Sequence, residues 1–294
     1  MSDTREQRLD VGWGELSVLR AGDPKGERLL CLHGWMDNAA SFEPLARTMP
    51  EYAWVALDAA GHGASDHRPA PGRYYLTDYF FDVDAVLDSL GWDRCTLVGH
   101  SLGTAVAACY ACAGPQRVER VVMLDGLGVL TESPRQAGQR LARSLQSVRH
   151  PRDHRRVFES IMLAAKARQL KNPMSDDAAL LLARRALRED ADGWRWRTDP
   201  AAMWDSPYWM TEEQSSEILR GIKCPVFAAV TPGLASYLGA RLEIRIDALA
   251  DLTLVRLPGG HHLHMDDPDA IAGPLRAFLE RSNEARDASS AFHG

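Results

Sequence analysis

The sequence contains no apolar run of membrane-spanning length, which excludes a helical span. No secretory leader is expected, because Met1 to Asp10 is polar and mixed in charge. There is no excess of positive charge. Lys and Arg number 34 against 40 Asp and Glu, a formal charge of −6, which argues against nucleic acid as a partner. Cysteine is sparse, five in 294 residues and mostly inside apolar runs. That excludes a disulfide scaffold and points to free buried thiols in a reducing compartment, so a cytoplasmic location is expected. What remains, 45% hydrophobic and 25% charged, is ordinary for a soluble enzyme and too apolar for disorder. The length suits one domain, or one domain carrying an insertion.

Several motifs are incomplete. Gly61–His62–Gly63 lacks the lysine and further glycines of a phosphate loop. Cys109 and Cys112 form Cys-x-x-Cys in the middle of a helix, away from the N-terminal amides that activate a thiol, and read as two small core residues. His262–Leu263–His264–Met265–Asp266–Asp267 resembles half of a metal-binding run, but its other ligands would have to come from elsewhere. No metal and no cofactor is expected. The arginines from 135 to 156 read as a solvated face.

What is present centres on Gly99–His100–Ser101–Leu102–Gly103. Cys95 to Val98 reads as a buried strand and Leu102 to Ala108 as the helix after it. A strand that turns directly into a helix forces the turn residue into strained angles, and its side chain stands clear of the sheet. The positions two before and two after must then be nearly free of side chain, and both are glycine. The new helix aims unpaired amides and its positive end at whatever Ser101 attacks.

Strand and helix patterns alternate along the chain. Trp13 to Arg20 reads as an antiparallel edge strand; Leu29–Leu32, Val55–Leu57 and Val121–Leu124 read as buried strands. Asn38 to Met49 and Asp78 to Leu90 have helical spacing, the second stopped by Gly91. From about Leu127 to Ile222 only helical patterns are evident, followed within that stretch by a tryptophan-dense part. Alternation resumes at Pro225–Val230 and Leu252–Val255. Pro268 to Leu279 is the final helix, with a kink expected at Pro274.

This pattern predicts an α/β fold with a mostly parallel, doubly wound sheet. Residues 1–127 and 223–281 form its core, and 282–294 a loose tail. Crossover geometry puts His33, Ser101, Asp125 and His261 along one sheet edge. The helical segment 128–222, inserted after the sixth core strand, leaves from that edge and can fold over Ser101 as a lid.

A serine hydroxyl needs a base, a group that orients the base, and donors for the oxyanion. His261 follows a buried strand and a Gly-Gly pair, where a loop can drop an imidazole onto Ser101; His262 and His264 compete for the role. His67 and His293 read as surface loops, and His150 and His154 as solvated helix faces. His33 reads as a structural histidine bonded to backbone. The turn after it can present the Trp35 amide beside that of Leu102, making a two-donor oxyanion hole. Trp35, His100, Trp194, Trp196, Trp204 and Trp209 are the expected lining of an apolar substrate pocket.

His33–Gly34–Trp35, Asp58 to Asp66, Gly99–His100–Ser101–Leu102–Gly103 and Gly260–His261 with Asp266–Asp267–Pro268 resemble, in that order, the α/β-hydrolase fold in its lidded form. His33 to Asn38 and Gly260 to His264 look most like its serine-hydrolase-like branch. The resemblance implies Ser101 as nucleophile, His261 as base, and the Trp35 and Leu102 amides as oxyanion donors. Serine at 101 argues against the dehalogenases and epoxide hydrolases, which carry aspartate there.

One departure matters. After Pro225–Val230 the family usually places its acid, and Thr231 to Ser236 offers no carboxylate. Some members carry the acid one strand earlier, where Asp125 stands. Asp125 ends four apolar residues at the mouth of a buried strand; its bland alternative is a cap on the Gly126 turn. Asp58 lies on the wrong side of the Ser101 strand, and Asp247 and Asp251 flank a far helical segment. The expected function is hydrolysis of a small carboxylic ester with an apolar part, by a monomer or homodimer. A thioesterase or C–C bond hydrolase would use the same triad, and a non-catalytic binding protein could keep the fold.

Overall fold

The computed structural model describes residues 4–151 and 156–290. His154 and His293 lie outside the described residues. Two strands come first, β1 (Arg5–Asp10) and β2 (Glu15–Gly22). Alternation follows: β3 (Arg28–Leu32), helix α1 (Glu43–Thr48), β4 (Ala53–Leu57), α2 (Leu76–Leu90), β5 (Cys95–His100), α3 (Leu102–Ala113) and β6 (Val118–Leu124). A long excursion holds α4 (Ala137–Arg149), α5 (Ile161–Gln169), α6 (Asp176–Ala186), β7 (Leu187–Asp190), β8 (Gly193–Trp196) and α7 (Glu212–Gly221). The chain returns in β9 (Val226–Val230), α8 (Pro232–Leu238), α9 (Arg241–Asp247), β10 (Leu252–Arg256), α10 (Leu263–Asp266) and α11 (Pro268–Ser290). Among the described residues no helix is long and apolar enough to cross a membrane.

Eight strands form one sheet in the order β1-β2-β4-β3-β5-β6-β9-β10. Only the β1–β2 and β2–β4 pairs are antiparallel. Strand β5 is buried along its whole length, as a central strand in a sheet covered on both faces is. One face is covered by α2, α3, α7, α8 and α9, with Val83, Val86, Leu87, Val106, Leu219, Leu238 and Leu242 against Leu30, Val55 and Leu97. The other is covered by α1 and α11, with Leu45, Ile271, Leu275 and Phe278 against Trp54, Val98 and Phe227. Each such side chain contributes roughly 1.5–3 kcal/mol by leaving water.

Three elements differ from the sequence pattern, the first being α11, which runs past Leu279 to Ser290, into the segment expected as a loose tail. β1 lies ahead of Trp13 and forms the true sheet edge, paired from Arg5↔Arg20 to Asp10↔Glu15. Every residue of it but Leu9 is exposed, so no apolar alternation announces it. The excursion is also not purely helical, because β7 and β8 form a hairpin. Here Asp192–Gly193 supplies a turn signal, with Gly193 at φ 130. The short strands follow directly on the Ala- and Leu-rich α6, whose helical period masks them.

Thr131 bridges Met210 in parallel, and the Glu132 amide donates to the Met210 carbonyl at 3.0 Å. The excursion is therefore pinched at its base. Beyond that neck, α6 is clamped to the core. The Arg185 guanidinium bonds both oxygens of the fully buried Asp58, and Asn38 Nδ2 donates to the Leu182 carbonyl at 2.9 Å.

Candidate active site

Ser101 occupies the sharp turn between β5 and α3, at φ 50 and ψ −112. The flanking glycines make that turn possible. A Cβ on Gly99 would lie 2.5 Å from the Gly103 carbonyl carbon, and one on Gly103 would lie 1.8 Å from the Leu32 carbonyl oxygen. Ser101 is one of three non-glycine residues with positive φ among the described residues; the others are Met36 at 64 and Asp125 at 44. Such backbone strain persists only where the surroundings over-determine it, and it clusters at working sites.

All three converge. The Ser101 amide donates to the Leu124 carbonyl at 3.2 Å, and the Asp125 amide to Ala229 at 2.9 Å. Asp125 therefore leaves the end of β6 beside the serine. Its Oδ1 accepts from the Thr231 amide at 2.9 Å, and its Oδ2 from His261 Nδ1 at 2.7 Å. Burial works to raise the Asp125 carboxyl, but the hydrogen bonds from His261 and Thr231 outweigh it and hold the group below its ordinary value. An ionised Asp125 requires the proton on His261 Nδ1, which leaves Nε2 as the free base position. The His261 side chain is half-exposed, on the loop between β10 and α10. His100, next to Ser101, holds that loop: its Nε2 donates to the His261 carbonyl at 2.8 Å, and the two rings are 4.7 Å apart.

The turn Gly34–Trp35–Met36–Asp37 faces the same place. It closes through the Asp37 amide on the Gly34 carbonyl at 3.0 Å. A Cβ on Gly34 would lie 2.9 Å from His100 Nδ1, so the turn abuts the Ser101 strand. Leu102 opens α3, where a first-turn amide has no partner within the helix. His33 is buried and bonds backbone on both ring nitrogens, Nδ1 to Gly34 at 2.7 Å and Nε2 from the Ala59 amide at 3.0 Å.

The expected pocket residues are distributed differently. His100 is fully buried and serves the His261 loop, so it does not open onto a pocket. Trp194 and Trp196 pack on Phe158, Ala164, Ala183 and Leu187 in the excursion's own small core. Trp209 lies under Arg140 at 3.9 Å. Trp204 lies under Arg73 and lines a cavity of about 420 Å³ with Ala142, Arg143 and Met203. Trp35 is one link between turn and excursion: its Nε1 donates to the Ala202 carbonyl at 3.0 Å.

Sequence reasoning missed a buried polar cluster behind the turn. The Asp37 carboxylate bonds the Arg168 guanidinium and lies 3.3 Å from His100 Nδ1 and from His262 Nε2. Burial alone would raise it, but these partners keep it well below the ordinary range. Asp37, His100 and His262 could offer three ligands to a small cation, yet Arg168 already supplies positive charge there. No local pattern in the sequence marks this cluster, because its members are far apart along the chain.

Four buried histidines near the site, His33, His62, His100 and His264, sit below the ordinary imidazole value, each chiefly through burial; His62 falls to about 3. Unfolded, they take up protons near their ordinary 6.5; folded, burial makes each harder to protonate. Stability is thus full above that pH and falls as the pH drops below it. The urea midpoint, followed by tryptophan fluorescence, is expected to fall steadily from about pH 7 to about pH 5. A flat midpoint across that range would contradict neutral buried histidines.

A family model for the alpha/beta hydrolase fold matches residues 27–195. A serine hydrolase-like protein of Danio rerio is 30% identical over 289 residues, covering 94% of this chain and 88% of the relative. Serine hydrolase-like protein 2 of Homo sapiens is 27% identical over 296 residues, covering 94% of each. A crystal structure of a hypothetical protein from Pseudomonas aeruginosa PAO1 superposes with a TM-score of 0.87 at 36% identity, covering 94% of this chain and 99% of the other.

Proposed function

Because the chain belongs to the α/β-hydrolase fold family, in its serine-hydrolase-like branch, we propose that it hydrolyses a carboxylic ester with an apolar part through an acyl-enzyme on Ser101. Ser101 Oγ attacks the ester carbonyl carbon while His261 Nε2 takes its proton. The carbonyl oxygen becomes an oxyanion held by the Trp35 and Leu102 amides. Asp125 stabilises the imidazolium, which then gives its proton to the departing alcohol oxygen. A water, deprotonated by His261, attacks the acyl carbon, and Ser101 leaves with its proton restored. No cofactor enters the scheme.

The observation that carries this reading is the 2.7 Å hydrogen bond of Asp125 with His261, beside a serine in a strained strand–helix turn. A non-catalytic binding protein of the same fold is the second reading, and the bond of Asp125 with His261 favours hydrolysis over it. The excursion 128–222 is proposed as the lid over the ester's apolar part. The contact of Trp35 with Ala202 supports this.

The test is a panel of p-nitrophenyl esters of increasing acyl length. Each added methylene that reaches apolar surface is worth about 0.8 kcal/mol. We expect kcat/KM to rise about threefold to fourfold per methylene up to a maximum and then fall. Turnover of no ester at any length would overturn the reading, and equal turnover of all would remove the apolar pocket.

A further inference from the structure

We propose that Arg168 is a positioning residue that ties the oxyanion turn and the His261 loop to the docked position of the excursion. This rests on the ester-hydrolase reading. Arg168 lies in the last turn of α5, with its side chain almost wholly buried. It grips two successive residues of the turn. Nη1 donates to the Met36 carbonyl at 2.6 Å, and Nη2 to Asp37 Oδ1. Met36 sits at φ 64 without being glycine, so it needs outside restraint to stay there. The turn's own hydrogen bond, Asp37 to Gly34, fixes one end; the guanidinium fixes the carbonyl of the strained residue itself. Relaxation of Met36 would rotate the peptide that joins it to Trp35, next in line to the one that carries the Trp35 N–H.

The second grip reaches the base. Asp37 faces Arg168 on one side and His100 and His262 on the other. His100 holds the carbonyl of His261, and His262 is the next residue in the chain. Through His262, whose Nε2 lies 3.3 Å from it, one carboxylate thus joins a cation from the excursion to the loop that carries the catalytic imidazole. A planar fork suits this task, because it satisfies two acceptors at a fixed angle, which an ammonium cannot do. With α5 displaced, both the oxyanion donor and the base lose a restraint, so the site is complete only under the docked excursion.

The experiment compares wild type with Arg168→Lys and Arg168→Met, by steady-state hydrolysis of a p-nitrophenyl ester and by the rate of serine labelling with a fluorophosphonate. Near-UV circular dichroism establishes folding of each. Misplacement of reacting groups by about 1 Å costs on the order of a hundredfold. The expected result is a kcat about a hundredfold lower in Arg168→Met, with KM within about twofold, and an intermediate loss in Arg168→Lys. Millimolar guanidinium is expected to recover at least tenfold of the Arg168→Met loss, and methylammonium less. Should Arg168→Met fail to fold, the lysine variant carries the test through its lowered kcat at unchanged KM.

A folded variant with wild-type kcat and labelling rate overturns the proposal. So does a loss that tracks stability alone, with no recovery by guanidinium and no difference between lysine and methionine. Wild-type protein that neither labels nor hydrolyses any ester overturns the ester-hydrolase reading, and this inference with it. Labelled wild type beside equally reactive variants overturns this inference only.

Discussion

Replacing Ser101 by alanine is expected to lower ester turnover by about five to six orders of magnitude while leaving the protein folded. Alanine removes the only atom the scheme uses for attack, and neither His261 nor the amides at Trp35 and Leu102 can form the acyl bond in its place. The fold has little to lose. Ser101 is partly exposed, and no core cluster includes it. Its φ of 50 strains alanine no more than serine. The measurement is kcat for a p-nitrophenyl ester beside the thermal midpoint of the purified variant. Turnover persisting in a variant free of wild-type contamination would end the assignment of Ser101.

Asp125→Asn is expected to lower kcat by about four orders of magnitude, again with little change in fold. The reason lies in the two partners of the carboxylate. Oδ1 accepts from the Thr231 amide, so an asparagine must turn its own oxygen toward Thr231. Its NH₂ group then faces His261 Nδ1, which can only accept from it. The imidazole proton is forced onto Nε2, where a base is needed. Asparagine tolerates the φ of 44 at this position better than most residues, which keeps the substitution local. The check is a kcat loss of this size at near-wild-type thermal midpoint. An Asp125→Asn enzyme with normal turnover would return Asp125 to the role of a turn cap.

The sheet was legible because its central strands are unbroken apolar runs and its helices keep a clear period. The elbow at Ser101 was legible because two backbone contacts, Gly99 with Gly103 and Gly103 with Leu32, admit no side chain. That Asp125 and His261 meet followed from both ending strands at one sheet edge; their chemical roles are the proposal. Other features left no local trace. β1 is held by ladder hydrogen bonds and charged pairs such as Arg8–Glu15, not by an apolar face. The Asp37 cluster joins residues 131 and 225 positions apart, and no spacing rule reaches that far. His100, expected to line the pocket, is fully buried and bonds the His261 carbonyl, a partner 161 positions away that its immediate neighbours do not announce.

The neck at Thr131 and Met210 has a bearing on how this protein could be shortened. By geometry alone the excursion is detachable: it leaves and re-enters at one point, and α7 remains to carry the chain from β6 to β9. Loop length itself is cheap, since each doubling costs only about 0.6 kcal/mol in closure entropy. Yet Arg168 and Arg185 would leave with it, and Asp37 and Asp58, both buried in the intact protein, would lose the cations they pair with. An uncompensated buried charge costs about 3–5 kcal/mol, and two would consume most of a typical domain's margin. The excursion is separable as a path and inseparable as a charge, so a minimal version of this fold would have to neutralise residues 37 and 58 before it dropped the segment between.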